Sequence, residues 1–510
     1  MARAEAQFGV LERLPLFLLI WGVASLSMYV PAAYALVLDN HPASRAFFYC
    51  GTLGMMTVGL IAVALGQRRP RYGSLGQLLS LLATFAVLPI FLAIPVQDSL
   101  RSTSFVNAYF DMVSAVTTTG ANLFEDPSRL DRLLHLWRAE VGWLGGLLMW
   151  IAASAILAPL SLGGFEVTAQ GQPGHTDVPI KIEQVDSRRR LFRITVTLAP
   201  IYIGLTGVIW TLLMIAGEET LTGLCHAMSI MATSGISPVG GVANGVSGFP
   251  GEAILFLFMF FALSRLTFSE DTATRGYARL DKDPEFRIGL MLVFGVPLLL
   301  FLRHWVAVFD VSDVAITEQA FKAFWGSVFT VMSFLTTTGF VSADWSTAQN
   351  WSGLNTPGLI LMGLAVMGGG VATTAGGVKL LRVYALYLNG LREMEKLVHP
   401  SSVSGDGGNT RRIQRNGAFI AWIFFMLFAM SLAFFTVVLA ALGVGFEQSI
   451  ILSIAALSTT GPLTEVAGEM PIRLAELGNA AKLVLCSAMV LGRLEMLAII
   501  ALFTPDLWRS

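Results

Sequence analysis

Residues 334–339 read Phe-Leu-Thr-Thr-Thr-Gly, and the same ending recurs three times elsewhere: Ala115-Val-Thr-Thr-Thr-Gly120, Ile230-Met-Ala-Thr-Ser-Gly235 and Ala456-Leu-Ser-Thr-Thr-Gly461. The four glycines lie 104 to 122 residues apart. Each copy closes a short apolar segment, at 104–117, 221–232, 321–336 and 447–458. A helix of about 12–16 residues cannot cross roughly 30 Å of hydrocarbon, so these segments are expected to be re-entrant half-helices. Thr-Thr-Gly alone means little in a chain rich in both residues. Four copies, each behind a short apolar helix and between two long ones, point to an internal fourfold repeat.

The surrounding composition agrees. Of 510 residues, 55% are apolar and only 13% charged, with a mean hydropathy of +0.68. A soluble domain carries about 25% charged residues, so too little charge is available here to coat a water-facing surface. Long apolar stretches near 14–38, 47–66, 75–96, 139–160, 191–216, 252–268, 287–304, 357–389, 415–443 and 479–503 are the expected spans. In lipid they must be helices, and the fold expected is all-α and polytopic. The first run is about 25 residues long, which matches a retained span rather than a signal-peptide core.

The basic residues orient the spans. Arg68, Arg69 and Arg71, then Lys181 with Arg188, Arg189, Arg190 and Arg193, then Arg275, Arg279, Lys282 and Arg287, and finally Arg392, Lys396, Arg411, Arg412 and Arg415 fall in loops on one side. The positive-inside rule makes that side cytoplasmic, so the half-helices enter from outside and both termini are cytoplasmic. The expected units are an N-terminal pair of spans (1–70) and pore repeats at 71–160, 191–268, 287–390 and 415–510. Cytoplasmic loops at 161–190, 269–286 and 391–414 join them.

A half-helix ending inside the bilayer points the negative end of its dipole at whatever lies there. The chain leaving it is not helical, which frees carbonyl oxygens for a cation. Four such loops about one axis would replace a monovalent cation's hydration shell with rings of oxygens. The candidate filter residues are Thr118, Thr119, Gly120, Thr233, Ser234, Gly235, Thr337, Thr338, Gly339, Thr459, Thr460 and Gly461. The alternative is four ordinary helix-ending turns that pack small residues between helices. A second candidate is the run Met367-Gly-Gly-Gly-Val-Ala-Thr-Thr-Ala-Gly-Gly377 inside an apolar stretch. Its glycines break the helix, and a loop there could obstruct a pore or form a packing face. Lys379 and Arg493 are ionisable groups at membrane depth, which function or a buried bridge must explain. Lys379 could also snorkel to the interface.

At these residues the chain resembles the Trk/Ktr/HKT superfamily of potassium transporters, in particular its bacterial TrkH-type membrane subunit. The resemblance includes Leu136-Trp-Arg138, Trp143-Leu-Gly-Gly146, Asp283-Pro-Glu-Phe-Arg287, Thr374-Ala-Gly-Gly-Val-Lys379, Leu391-Arg through His399-Pro400, Leu491-Gly-Arg-Leu-Glu495 and Leu502-Phe-Thr-Pro505. It implies potassium uptake through a pseudo-fourfold pore in the inner membrane. It also implies a homodimer with one pore per protomer and a cytosolic TrkA-type nucleotide-binding regulatory subunit. The gate it implies comprises Gly368, Gly369, Gly370, Thr373, Thr374, Gly376, Gly377 and Lys379, with Arg493 tuning the pore electrostatics. Potassium would be the transported ion, held at the filter residues only, and no cofactor is expected in this chain. Sodium-coupled or sodium-permeable transport is the alternative within the superfamily. Members with serine at the first filter glycine tend to pass sodium, and here that residue is Gly120.

Other classes fit poorly. The spans offer no Gly-x-Ser-x-Gly, aspartate pair or HExxH for an intramembrane hydrolase, so no enzyme is expected. A net charge of -1 supplies no basic field for nucleic acid, and three scattered cysteines make no disulfide framework.

Overall fold

The computed structural model describes residues 14–65, 74–124, 126–160, 162, 164, 183–264, 283–307, 315–354, 357–398, 415–496 and 498–499. Among them every regular element is helical. Seven helices are long and apolar enough to cross a membrane, so the chain is a polytopic α-helical membrane protein. The loops at 67–72, 165–182, 265–282 and 399–414, with Arg265, Glu125 and the C-terminal Leu502–Pro505 motif, lie outside the described residues.

The N-terminal pair consists of α1 (Leu16–Ser27), α2 (Tyr29–Val37) and α3 (His41–Leu65). The first span breaks at Met28 because Pro31 lacks the N–H that would bond one turn back. The first unit holds α4 (Ser74–Ala86), α5 (Leu88–Ser99), α6 (Phe105–Val116) and α7 (Arg132–Ala152). The second holds α8 (Glu183–Ile215), α9 (Thr220–Ala232) and α10 (Gly248–Met259). In the third are α11 (Pro284–Ala307), α12 (Ala315–Leu335), α13 (Trp345–Ser352), α14 (Gly358–Met367) and α15 (Leu380–Val398). The fourth holds α16 (Arg415–Ala441), α17 (Phe446–Leu457), the short α18 (Leu463–Val466) and α19 (Asn479–Leu494).

Ten spans are expected from the sequence, and the three that do not reach membrane length among the described residues all belong to second helices of units. The apolar helix at Gly248–Ala262 is short, α14 has 10 residues, and α19 has 16. The stretch 357–389 is therefore two helices with a loop between them. The third half-helix departs the other way. It has 21 residues, because its first turns carry Thr317, Glu318 and Gln319 and escape a search for apolar runs.

The half-helices α6, α9 and α17 are buried almost all round, whereas the spans expose large apolar side chains such as Leu60 and Val63 outward. That is the pattern of spans facing lipid around a buried inner ring. Buried polar contacts hold the inner ring in place. Asp111 of α6 pairs with Arg138 of α7 at 3.0 Å. Glu252 of α10 accepts from Trp325 Nε1 of α12 at 2.8 Å, from Ser342 Oγ at 2.7 Å and from the Ala343 amide at 2.7 Å. His226 packs structurally, with Nε2 2.8 Å from Ser237 Oγ and its ring against Phe340.

Candidate functional site

All four half-helices end in the same hydrogen-bond pattern. In the first, the Thr118 amide donates to Ala115 O at 2.9 Å and the Thr119 amide to Ser114 O at 2.8 Å. The second pairs Thr233 with Ile230 O at 3.2 Å and Ser234 with Ser229 O at 3.0 Å. Thr337 and Thr338 reach Phe334 O and Ser333 O at 3.2 and 2.9 Å, while Thr459 and Thr460 reach Ala456 O and Ala455 O at 3.3 and 2.8 Å. These pairs make a Schellman turn, whose pivot residue is left-handed and is usually glycine. Here the pivot is threonine each time, at φ 54° (Thr118), 50° (Thr233), 57° (Thr337) and 54° (Thr459). A β-branched residue in this region costs on the order of 1–3 kcal/mol, and such strain collects at functional sites. Four ordinary helix-ending turns would use glycine or asparagine and avoid the strain.

The pivot places the hydroxyls unequally. Thr119, Thr338 and Thr460 turn theirs into the wall, bonding Thr117, Thr336 and Ser458 at 2.8, 3.0 and 3.2 Å, and Ser234 bonds Ser229 at 3.2 Å. The pivot hydroxyls differ. Those of Thr118 and Thr459 are buried without a hydrogen-bond partner among the described residues. Thr233 donates to Ala232 O at 2.7 Å, and Thr337 accepts from the Gly376 amide at 2.7 Å.

Beyond the pivots the loops meet. A Cβ added to Gly120 would collide with the Ser234 carbonyl oxygen, and one on Gly235 with Thr338 O. One on Gly339 would lie 2.9 Å from the Pro462 ring, and one on Gly461 would strike Ala121. The Gly461 amide donates to Thr119 O at 2.6 Å. All twelve filter candidates thus converge on one buried locus.

The glycine-rich segment runs from Gly368 to Lys379 between α14 and α15, directly against the pivots. Gly376 donates to Thr337, a Cβ on it would collide with Ser458 O and Thr459 Oγ1, and Thr374 Oγ1 donates to Met231 O at 3.3 Å. One loop therefore touches the half-helix ends of units 2, 3 and 4. Its other side is tied down. The Gly370 amide reaches Ala262 O at 2.9 Å, the Val371 amide reaches Glu285 Oε1 at 3.0 Å, and Thr373 Oγ1 reaches Gly370 O at 2.7 Å. Gly369 takes the Leu380 amide at 3.0 Å, and Gly377 is left-handed at φ 77°. Lys379, at φ 83°, does not snorkel to the interface; it is buried and its ammonium donates to Ala375 O within the same loop.

Arg493 is buried in α19 and donates from Nη1 to Thr374 O at 2.7 Å, while Nε and Nη2 have no hydrogen-bond partner among the described residues. The alternative of an acidic bridge for Arg493 does not hold among the described residues. Glu495 pairs instead with Arg382 of α15 at 2.7 Å, and that guanidinium lies 3.7 Å over the Phe424 ring. Glu252 and Arg382 stand in none of the quoted motifs, and the motifs that contain Glu285 and Glu495 do not name their partners. Their signal was a charged residue inside an apolar stretch.

Among the described residues no group of three His, Cys, Asp or Glu side chains could hold a metal ion. The chemistry available at the locus is that of carbonyl and hydroxyl oxygens next to four helix C-termini, which favours a weakly hydrated monovalent cation.

Comparison with known proteins follows the same line. Residues 251–509 match the profile of the TrkH family, described as cation transport protein. The chain is 30% identical over 439 residues to the Trk system potassium uptake protein TrkH of Halomonas elongata, covering 84% of each chain. It is 27% identical over 492 residues to the Escherichia coli protein of the same name, covering 95% of this chain and 96% of that one. The crystal structure of the potassium transporter TrkH from Vibrio parahaemolyticus superposes with a TM-score of 0.78 at 25% identity, over 98% of this chain and 99% of that chain.

Proposed function

The chain belongs to the TrkH family of cation transport proteins, and from that premise we propose that it takes up potassium across the bacterial inner membrane through the ring of four Thr-[Thr/Ser]-Gly loops. It is a membrane transporter and not an enzyme. The observation that carries the reading is the left-handed threonine at the same position of all four half-helices, since strain repeated fourfold at one buried locus answers to a shared task. In this reading potassium sheds water against oxygens of the four loops Thr118 to Gly120, Thr233 to Gly235, Thr337 to Gly339 and Thr459 to Gly461, the fourth contributing at the level of its pivot, Thr459.

The segment Gly368–Lys379 acts as the gate. Its docking against three half-helix ends supports this, as does the direct bond from Gly376 to the Thr337 hydroxyl. Arg493 latches the gate through Thr374 and adds a positive charge beneath the filter. The cytoplasmic loops would receive a TrkA-type nucleotide-binding subunit, and two chains would assemble as a homodimer with a pore in each. Both termini would lie in the cytoplasm. The test is rubidium flux into proteoliposomes of the purified chain, with potassium, sodium and lithium as competitors. Block by potassium but weakly by lithium supports the filter, and equal block by all three contradicts it.

A further inference from the structure

The fourth loop is built differently from the other three. Gly120, Gly235 and Gly339 are all left-handed, at φ 67°, 65° and 83°, whereas Gly461 is not. The cause is the next residue. Pro462, at φ -60° and ψ -12°, is pre-set for the first turn of a helix and starts α18 at once. That turn consumes the loop's oxygens. Thr460 O accepts the Leu463 amide at 3.2 Å, and Gly461 O accepts both the Thr464 amide at 3.0 Å and its hydroxyl at 2.9 Å. Of the six corresponding carbonyls in the other loops, Thr119 O accepts the Gly461 amide at 2.6 Å, while those of Gly120, Ser234, Gly235, Thr338 and Gly339 accept no hydrogen bond from the described residues. The pyrrolidine ring of Pro462 lies against the glycines of neighbouring loops. A Cβ on Gly235 would lie 2.7 Å from Pro462 Cγ, and one on Gly339 2.9 Å from it. The ring therefore contacts both the second and the third loop.

We infer that Pro462 is a specificity-determining residue: a rigid apolar wall that replaces the fourth set of carbonyl ligands at the glycine level and sets the upper size limit for the cation there. This rests on the reading of the four loops as the ion path. A cation at that level is held by oxygens of three loops and keeps water or a gap toward the ring. Selectivity that depends on the number of dipoles is weaker there than one level in, at the pivot hydroxyls. What the ring contributes is exclusion of larger ions. Unlike a flexible side chain it cannot swing aside, because φ is locked and the following helix fixes ψ.

The test is competition by caesium against rubidium flux in proteoliposomes of the wild type and of Pro462→Ala, which removes two ring carbons and keeps a helix-forming residue. Caesium should compete on the order of tenfold better in the variant, the low end of what one methylene decides at a binding site. Unchanged caesium competition overturns the proposal. A wild type that does not prefer potassium to lithium in the same vesicles instead brings down the filter reading, so the two failures are separable. If Pro462→Ala carries no flux, thermal stabilisation of the detergent-solubilised variant by potassium, rubidium and caesium chloride decides. A caesium effect rising toward that of rubidium supports the wall. An unchanged order, loss of all three effects, or failure of both Pro462→Ala and Pro462→Ser to fold overturns it.

Discussion

Replacing Gly376 by alanine is expected to open the pore without any partner. Gly376 donates its amide to the Thr337 hydroxyl at 2.7 Å. A Cβ there falls well inside 3.0 Å of both Ser458 O and Thr459 Oγ1. The first of these is backbone at a half-helix end, so it cannot turn away, and the gate loop is what must move. Overpacking a well-filled site costs about 1–3 kcal/mol. Losing the hydrogen bond adds about 0.5–1.5 kcal/mol. A combined bias of about 2–4 kcal/mol against the docked loop raises the undocked fraction by roughly thirtyfold or more, at about 1.4 kcal/mol per factor of ten. Gly376 is not left-handed, so alanine adds no backbone strain and the effect isolates the docking contact. The assay is basal rubidium flux in proteoliposomes containing the purified variant, normalised to protein incorporated. Basal flux equal to or below that of the wild type, in a variant that melts normally, would refute the docking of this loop as the closed gate.

Further outcomes are expected at neighbouring positions. Gly120→Ser should push loop 1 away from Ser234 and lower the preference for potassium over sodium by about tenfold, worth ~1.4 kcal/mol; Gly339→Ser should act in the same direction, read by sodium competition. Arg493→Gln removes a charge-assisted bond to Thr374 O worth about 1.5–3 kcal/mol, so basal flux should rise roughly tenfold; Arg493→Lys, which keeps the charge, separates latch from electrostatics, since flux rises in it only if the bond matters. Arg382→Met leaves Glu495 buried without its partner and should cost about 3–5 kcal/mol, seen as a lower unfolding temperature in detergent and partly restored by adding Glu495→Met.

Much of the inner ring was legible in the sequence because its signals are local. The short apolar segments read at 104–117, 221–232 and 447–458 match α6, α9 and α17 closely, since each is bounded by polar residues or glycine and ends on its motif. The break in 357–389 was equally legible, because clustered glycines forbid a continuous helix. The start of α12 at Ala315 was not, since polar residues in its first turns hide a helix from any apolar count. Nor were the partners of the buried charges. Glu252 meets Ser342 across 90 residues, Arg382 meets Glu495 across 113, and Arg493 meets Thr374 across 119. Sequence places an ionisable group at membrane depth and says that it needs a partner; only the packing of helices from different units chooses which one. The same holds for the hydroxyls. Twelve candidate residues could be read from the motifs, but the split between wall-facing Thr119, Thr338 and Thr460 and the pivots follows from the left-handed turn.

The central claim is that the four loops select potassium, and the most direct measurement is cation competition against rubidium flux in vesicles containing either the wild type or Gly376→Ala. The account predicts that potassium abolishes the flux, sodium inhibits weakly and lithium scarcely at all, with the same order in both proteins, because the gate and the filter are separate structures. Equal inhibition by the three ions, or absence of flux from both proteins, would contradict it.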